Sequence, residues 1–303
     1  MSFKELLKKG KIEEACQIRP YEEIDKETLA LAYKNSLVKG NAEKTLDNIL
    51  NLYGLSKEMP NEEIIQSAYK ILLKENVNYF SYFRQLKRIV GVEPNDETIM
   101  KCYEYFIIKR KFLSVESLYD LVEKMPDENV IQSSYDRFLK FGDVSSAKKL
   151  YDFSKVKPKN KEKIQLAYRQ VLINLDFKSA STLNIMTSKK PKNSIIQSCY
   201  NKFLKDSDIK KVIFLYDYTH KKPKWKEGIS STYEHILNNI LNDFNNLESV
   251  YNKLEDIKTL SHITGTCPPK RFIEDIDRKV AKKLKLFYGH WIRNIVNHFL
   301  KNC

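Results

Sequence analysis

The sequence predicts an all-α fold: a right-handed superhelical solenoid of about seven helix-turn-helix repeats, closed by a helical C-terminal cap. Two periodic series predict it. Six prolines recur at spacings of 32 to 34 residues, and a tyrosine follows each of them by nine or ten residues. A fixed period in this range is typical of stacked supersecondary units. The prolines are Pro60, Pro94, Pro126, Pro158, Pro191 and Pro223, and the tyrosines are Tyr69, Tyr103, Tyr135, Tyr168, Tyr200 and Tyr233.

The residues around each tyrosine predict a first helix, helix A. Four residues earlier the chain has Ile or Leu, and one residue earlier it has a small side chain, as in IQSSY at 131–135. These three positions share one helical face, so we expect all three to be buried. Proline suits the first turn of a helix, and we expect helix A to begin there.

A second helix, helix B, is predicted from a small or β-branched residue twelve positions after the tyrosine. Small residues on successive helices allow close packing. Glycine followed by Asp or Asn, as in KFGDVSSA at 140–147, predicts the turn between helices A and B. The six small or β-branched residues are Thr45, Ser81, Val115, Ala147, Ala180 and Val212.

Residues 126–158, PDENVIQSSYDRFLKFGDVSSAKKLYDFSKVKP, carry a family resemblance. The small residue in helix A, the Gly-Asp turn, the Ala at the start of helix B and the closing Pro resemble the tetratricopeptide and pentatricopeptide repeats. The resemblance extends over roughly residues 1–255. A pentatricopeptide-like array implies single-stranded RNA as the ligand, read at about one base per repeat. A tetratricopeptide-like array implies a protein or peptide.

Three regions are predicted along the chain. Residues 1–24 form a partial N-terminal repeat, residues 25–255 form the repeat array, and residues 256–303 form a basic helical cap. The last segment, with Lys282, Lys283 and Lys285 beside apolar residues, is expected to cover the open end of the array. A basic amphipathic helix could instead lie on an anionic membrane or contact a partner.

A polar ladder is predicted on the A helices, at the positions two and three residues before each tyrosine. In helical solenoids one layer of helices lines the concave surface where partners bind. Gln and Ser both donate and accept hydrogen bonds, which suits base edges or a peptide backbone. Duplication of an ancestral unit could also have preserved these residues. The predicted ladder is Gln66, Ser67, Lys101, Gln132, Ser133, Gln165, Gln197, Ser198 and Ser231.

The positive charge lies in the second half of the chain. Residues 1–150 have 24 basic and 24 acidic side chains, whereas residues 151–303 have 29 and 15. This asymmetry favours a polyanionic partner, although solvated lysine-rich faces would give the same count. The lysines concentrate in the turns between repeats, where an aromatic residue can stack on a base. We predict phosphate contacts from Lys157, Lys159, Lys189, Lys190, Lys192, Lys221, Lys222 and Lys224, with Trp225.

The sequence contains no enzyme motif that we recognise. No two of the eight glycines lie close enough for a phosphate-binding loop, and no nucleophile elbow or H-E-x-x-H motif occurs. The five cysteines form no C-x-x-C pair, and His290 and His298 lack a third metal ligand. We therefore expect no cofactor, no metal, no small-molecule substrate and no disulfide. The chain also lacks a signal peptide or an apolar membrane span, so an intracellular, soluble and cytoplasmic protein is expected.

Together these patterns predict a non-enzymatic binding protein. The first hypothesis is that it binds RNA or single-stranded nucleic acid through the concave face and the basic turns. The alternative is a protein–protein interaction scaffold that holds a peptide or a partner helix in the superhelical groove. The dependence of affinity on salt concentration distinguishes the two hypotheses, because binding through phosphate neutralisation weakens steeply as salt is added.

Overall fold

The computed structural model describes residues 1–18, 23–38, 41–75, 80–243, 246–270, 274 and 278. These residues contain sixteen α-helices and no strand, so the all-α prediction is confirmed. Within them, no helix has both the length and the apolar character needed to cross a bilayer. Most of the predicted cap, including Lys282, Lys283, Lys285, His290 and His298, lies outside the described residues.

The chain divides into two compact units. The first comprises Met1–Phe138 and Ser145–Pro158, and the second comprises Leu139–Val144 and the chain from Lys159 onward. The helices before Lys159 are α1 (Phe3–Lys8), α2 (Ile12–Gln17), α3 (Lys26–Ser36), α4 (Ala42–Ser56), α5 (Glu62–Glu75), α6 (Phe80–Val90), α7 (Asp96–Ile108), α8 (Phe112–Val122), α9 (Glu128–Lys140) and α10 (Val144–Ser154). The helices after Lys159 are α11 (Lys161–Ile173), α12 (Phe177–Thr187), α13 (Asn193–Lys205), α14 (Ile209–Thr219), α15 (Lys226–Asn242) and α16 (Leu247–Thr264).

Successive helices pack in pairs. In the first unit α1 packs on α2, α3 on α4, α5 on α6 and α7 on α8; in the second unit α11 packs on α12, α13 on α14 and α15 on α16. Odd-numbered helices also pack on the next odd-numbered helix, as α5 on α7 and α11 on α13 do. Each pair thus corresponds to a predicted A and B helix. The predicted boundary at residue 255 falls inside α16.

The predicted core face of helix A is confirmed. In all seven A helices the Ile or Leu, the small residue and the tyrosine are buried. The seven tyrosines are at most 1% exposed. These tyrosines are Tyr33, Tyr69, Tyr103, Tyr135, Tyr168, Tyr200 and Tyr233. A large buried side chain that recurs at every repeat fixes how closely the two helices of each pair can approach.

Two local predictions are wrong. The prolines do not lie in the first turn of helix A, because the helices begin two or three residues later, after caps such as Asn61, Asn95 and Asn160. Ser81 is exposed rather than packed. Its expected place in α6 is occupied by Phe83, which is 3% exposed and has its ring centroid 5.0 Å from that of Tyr69.

Candidate nucleic-acid interface

The turns that follow α4, α6, α8, α10, α12, α14 and α16 share one hydrogen bond. Each tyrosine of helix A donates its hydroxyl to the carbonyl of the residue two before the proline that ends its own helix pair. The acceptors are Glu58, Val92, Lys124, Val156, Lys189, Lys221 and Thr266, at 2.5 to 2.8 Å. The last bond places Pro268 in the same series, although its spacing from Pro223 is longer.

The glutamine three residues before the tyrosine also bonds this turn, at the residues immediately before and after the proline. Gln197 Nε2 donates to the Lys222 carbonyl at 2.9 Å, and its Oε1 accepts from the Lys224 backbone N–H at 2.8 Å. Gln165 makes the same two bonds to Lys190 and Lys192, and Gln66 makes them to Glu93 and Asn95. Gln132 Nε2 donates to the Lys157 carbonyl at 3.0 Å. We call the tyrosine and glutamine together the turn clamp.

These bonds assign the glutamines a structural role that the sequence analysis missed. Gln66 is only 5% exposed, which contradicts its expected place on an open surface, and the amides of Gln132, Gln165 and Gln197 are occupied by the turns. The signal was present in the sequence, since a proline follows three of these glutamines by 26 residues and Gln66 by 28.

The remaining ladder residues are mostly accessible. Ser133, Ser231 and Lys101 are exposed, whereas Ser67 and Ser198 are half-buried. Lys101 pairs with Glu97, and Ser133 Oγ donates to the Val130 carbonyl of its own helix at 3.1 Å.

The predicted phosphate-binding lysines lie on the clamped turns. Lys157 and Lys159, which belong to different units, are exposed. The next two turns, residues 188–192 and 220–224, both lie in the second unit, and we call them the basic turns. Five of their six lysines are exposed and Lys189 is half-buried. Gln197, whose side chain bonds the second basic turn, lies five residues after Lys192 of the first, which is about 8 Å along α13.

Among the described residues, no carboxylate forms an ion pair with any of the six lysines of the basic turns. These lysines are Lys189, Lys190, Lys192, Lys221, Lys222 and Lys224. The lysines near the turns of the first unit differ, since Lys87 pairs with Glu93 and Lys124 pairs with Asp96.

The N-terminus of α13 adds to the positive potential of the first basic turn, whereas α15, which follows the second, has Glu227 in its first turn. A helix N-terminus carries a partial positive charge, and α13 begins here without a side-chain cap and without an acidic residue in its first turn. In contrast, α7 is capped by Asn95 and begins with Asp96 and Glu97.

Trp225 is half-buried, and its ring lies against the backbone of Gly228. A Cβ added to Gly228 would come within 1.9 Å of the ring atom Cε3. One face of the indole is therefore already covered by the protein, which leaves less of the ring for a base than the sequence suggested.

Changing Gly228 to Ala should displace the Trp225 ring and destabilise the protein by about 1–3 kcal/mol, because the added methyl overpacks this contact. Intrinsic tryptophan fluorescence would report the displacement, and the urea midpoint would report the stability. Gly54→Ala is the matched control. It lies in α4 with no neighbour within 4 Å of the new methyl, and it should stabilise the helix by up to about 1 kcal/mol. An unchanged fluorescence spectrum in Gly228→Ala would contradict this packing.

No protein-family model matches this chain, and a search of curated proteins finds none that is significantly similar to it. The resemblance to tetratricopeptide and pentatricopeptide repeats therefore stays a prediction. The site rests on its own geometry: two neighbouring turns with a fixed backbone and six uncompensated lysines.

Proposed function

We propose that the protein is a non-enzymatic binding protein for RNA or other single-stranded nucleic acid, and that the basic turns contact the phosphates. The observation that carries this proposal is the set of six lysines without acidic partners on two consecutive clamped turns. Uncompensated lysines attract a polyanion, and their neutralisation of phosphates releases condensed counterions.

The clamps support the proposal because they fix the backbone that carries the lysines. In each basic turn three backbone groups are hydrogen-bonded by the tyrosine and the glutamine, for example the carbonyls of Lys221 and Lys222 and the N–H of Lys224. The side chains stay free to adjust to a strand, but their points of attachment do not move. Less ordering is then needed when the ligand binds.

The test is a variant with Lys189, Lys190, Lys192, Lys221, Lys222 and Lys224 changed to Gln. We expect it to lose at least tenfold in affinity for single-stranded RNA at low salt, measured by fluorescence anisotropy, because about six phosphate contacts are removed. The salt dependence of its residual binding should also be shallower than that of the unmodified protein.

The matched control changes six lysines that are ion-paired, so that the net charge falls equally. These are Lys4, Lys11, Lys87, Lys124, Lys148 and Lys253. This control should retain most of the affinity. Equal losses in both variants would mean that net charge alone attracts the RNA, which would contradict a site at the basic turns.

The alternative function is a protein–protein interaction scaffold that binds a peptide or a partner helix. One observation favours it: α8 exposes large apolar side chains, with Leu113 75% and Tyr119 39% exposed. Binding to such a surface would depend little on salt. A protein that fails to bind any nucleic acid at low salt but retains a protein partner would favour this alternative.

We further propose that the helix pairs form the right-handed solenoid of about seven repeats predicted from the sequence, with a helical cap at residues 256–303. The tyrosine bond of the clamp supports this architecture, since it recurs for all seven tyrosines from Tyr33 to Tyr233. Serines of the predicted ladder that are exposed, such as Ser133 and Ser231, remain candidates for ligand contact. An intracellular, cytoplasmic location also stays a prediction.

A further inference from the structure

We propose that an aromatic cluster on α12 and α14 is a platform on which bases of the bound strand stack. This inference rests on the proposed function and adds contacts to the bases. The lysines of the basic turns would bind the phosphates, and the aromatic faces would stack on the bases. We call Phe177, Phe214 and Tyr218 the aromatic cluster. Nothing in the sequence analysis assigned these residues to a site.

The cluster contains a preformed stack. The rings of Phe177 and Tyr218 lie 4.5 Å apart between centroids and are inclined by only 17°. Ser181 Oγ lies 3.4 Å from the Tyr218 hydroxyl, which helps to hold the tyrosine in this orientation. Phe214 lies one helical turn before Tyr218 on the same face of α14. Its side chain is 52% exposed, so a large part of its ring can accept a ligand.

A comparison with the first unit shows how the environment of Phe214 differs from that of the equivalent residue there. The sixth residue of α10 is Lys149, and its Nζ lies 5.8 Å from the ring centroid of Phe112, the first residue of α8. The sixth residue of α14 is Phe214, and the first residue of α12 is Phe177. The position that holds Lys149 in α10 therefore holds the exposed Phe214 in α14.

The cluster adjoins the basic turns, which is the reason for choosing nucleic acid as its ligand. Tyr218 lies two residues before the turn at 220–224. Aromatic rings beside lysines that have no acidic partners match a strand whose phosphates and unstacked bases are both accessible. A duplex, whose bases are already stacked, does not offer those faces.

The test compares oligo-uridine with an abasic oligonucleotide of the same length and charge. Phe214→Ala should weaken binding to oligo-uridine by at least about fivefold and leave binding to the abasic strand unchanged, since stacking on one aromatic side chain contributes at this level. Its salt dependence should equal that of the unmodified protein. Phe214→Trp should retain the affinity, and Ile185→Ala, which removes another exposed apolar side chain (65%) on α12, should have no effect.

The outcomes separate this inference from the proposed function. If the unmodified protein binds both oligonucleotides equally and with strong salt dependence, the basic turns bind phosphate and the stacking platform is overturned. A Phe214→Ala variant that binds both strands as the unmodified protein does would also overturn it, and would leave the cluster as a surface for a protein. If the unmodified protein binds neither strand at low salt, the proposed function and this inference fail together.

Discussion

Replacement of Tyr135 by Ala should lower the free energy of unfolding by about 3–5 kcal/mol, the range expected when a large aromatic side chain is removed from a core. Tyr135 is 1% exposed and also holds the exit turn of its helix pair, through a 2.7 Å bond to the Val156 carbonyl. The change therefore removes both a packed ring and one side of a turn clamp. For a domain of ordinary stability this loss is a large share of the total.

Tyr135→Phe separates the two contributions. It retains the ring and removes only the hydroxyl, so it should cost about 1–2 kcal/mol, mainly because the Val156 carbonyl loses its partner. Urea unfolding followed by far-UV circular dichroism measures both variants. Tyr119→Phe, at a position that is 39% exposed, is the matched control and should be neutral within about 0.5 kcal/mol. A cost below about 1 kcal/mol for Tyr135→Ala would contradict the central packing role of this residue.

The protein should also unfold cooperatively in alkali, between about pH 10 and 12. Burial raises the pKa of Tyr33 and of Tyr168 from 10.0 to about 12. Burial likewise raises the pKa of Tyr69, Tyr103, Tyr135 and Tyr200 well above the ordinary value. The hydroxyl of each donates to a backbone carbonyl, and a phenolate could not make that bond.

The sign of the effect follows from proton counting. Above pH 10 the unfolded chain releases these phenolic protons while the folded chain keeps them, so stability falls as the pH rises. The contribution is fully present below pH 10 and is lost as the pH rises towards the folded values. Each tyrosine contributes about 1.4 kcal/mol per pH unit, so the six together reach about 8 kcal/mol per pH unit. A rise of one to two pH units then matches the stability of an ordinary domain.

Two signals recorded together measure this transition. The ultraviolet absorbance of phenolate counts ionised tyrosines, and far-UV circular dichroism follows the helices. The buried tyrosines should ionise only as the helices unfold. Tyr168→Phe should make the pH dependence of stability shallower. Complete ionisation of all 18 tyrosines near pH 10 with the helices intact would contradict the burial and bonding of the tyrosine series.

The sequence predicted the elements that depend on local periodicity. The Ile, small residue and Tyr of IQSSY lie on one helical face, and Ile131, Ser134 and Tyr135 are all buried as expected. The turns were predicted less well, because their hydrogen bonds join side chains to backbone groups that are distant in the sequence. The partners of Gln197 are a carbonyl and an N–H some 25 and 27 residues away, and that register exists only once the helix pair has closed.

The candidate site was likewise predicted only in part from the sequence. The lysines of the basic turns were evident from composition, whereas their lack of acidic partners required the structure. Phe214 could not be distinguished in the sequence from an ordinary core aromatic on an amphipathic helix. The structure leaves it 52% exposed, while Tyr218, one turn later on α14, stacks on Phe177.

The measurement that tests the account most directly is the affinity of the unmodified protein for single-stranded RNA as a function of salt concentration. If the six lysines of the basic turns each neutralise a phosphate, the slope of log K against log[salt] should be about −4, at roughly −0.7 per contact. Binding at low salt with a slope near this value is the predicted result. No binding at low salt, or an affinity that is independent of salt, would contradict the proposed function.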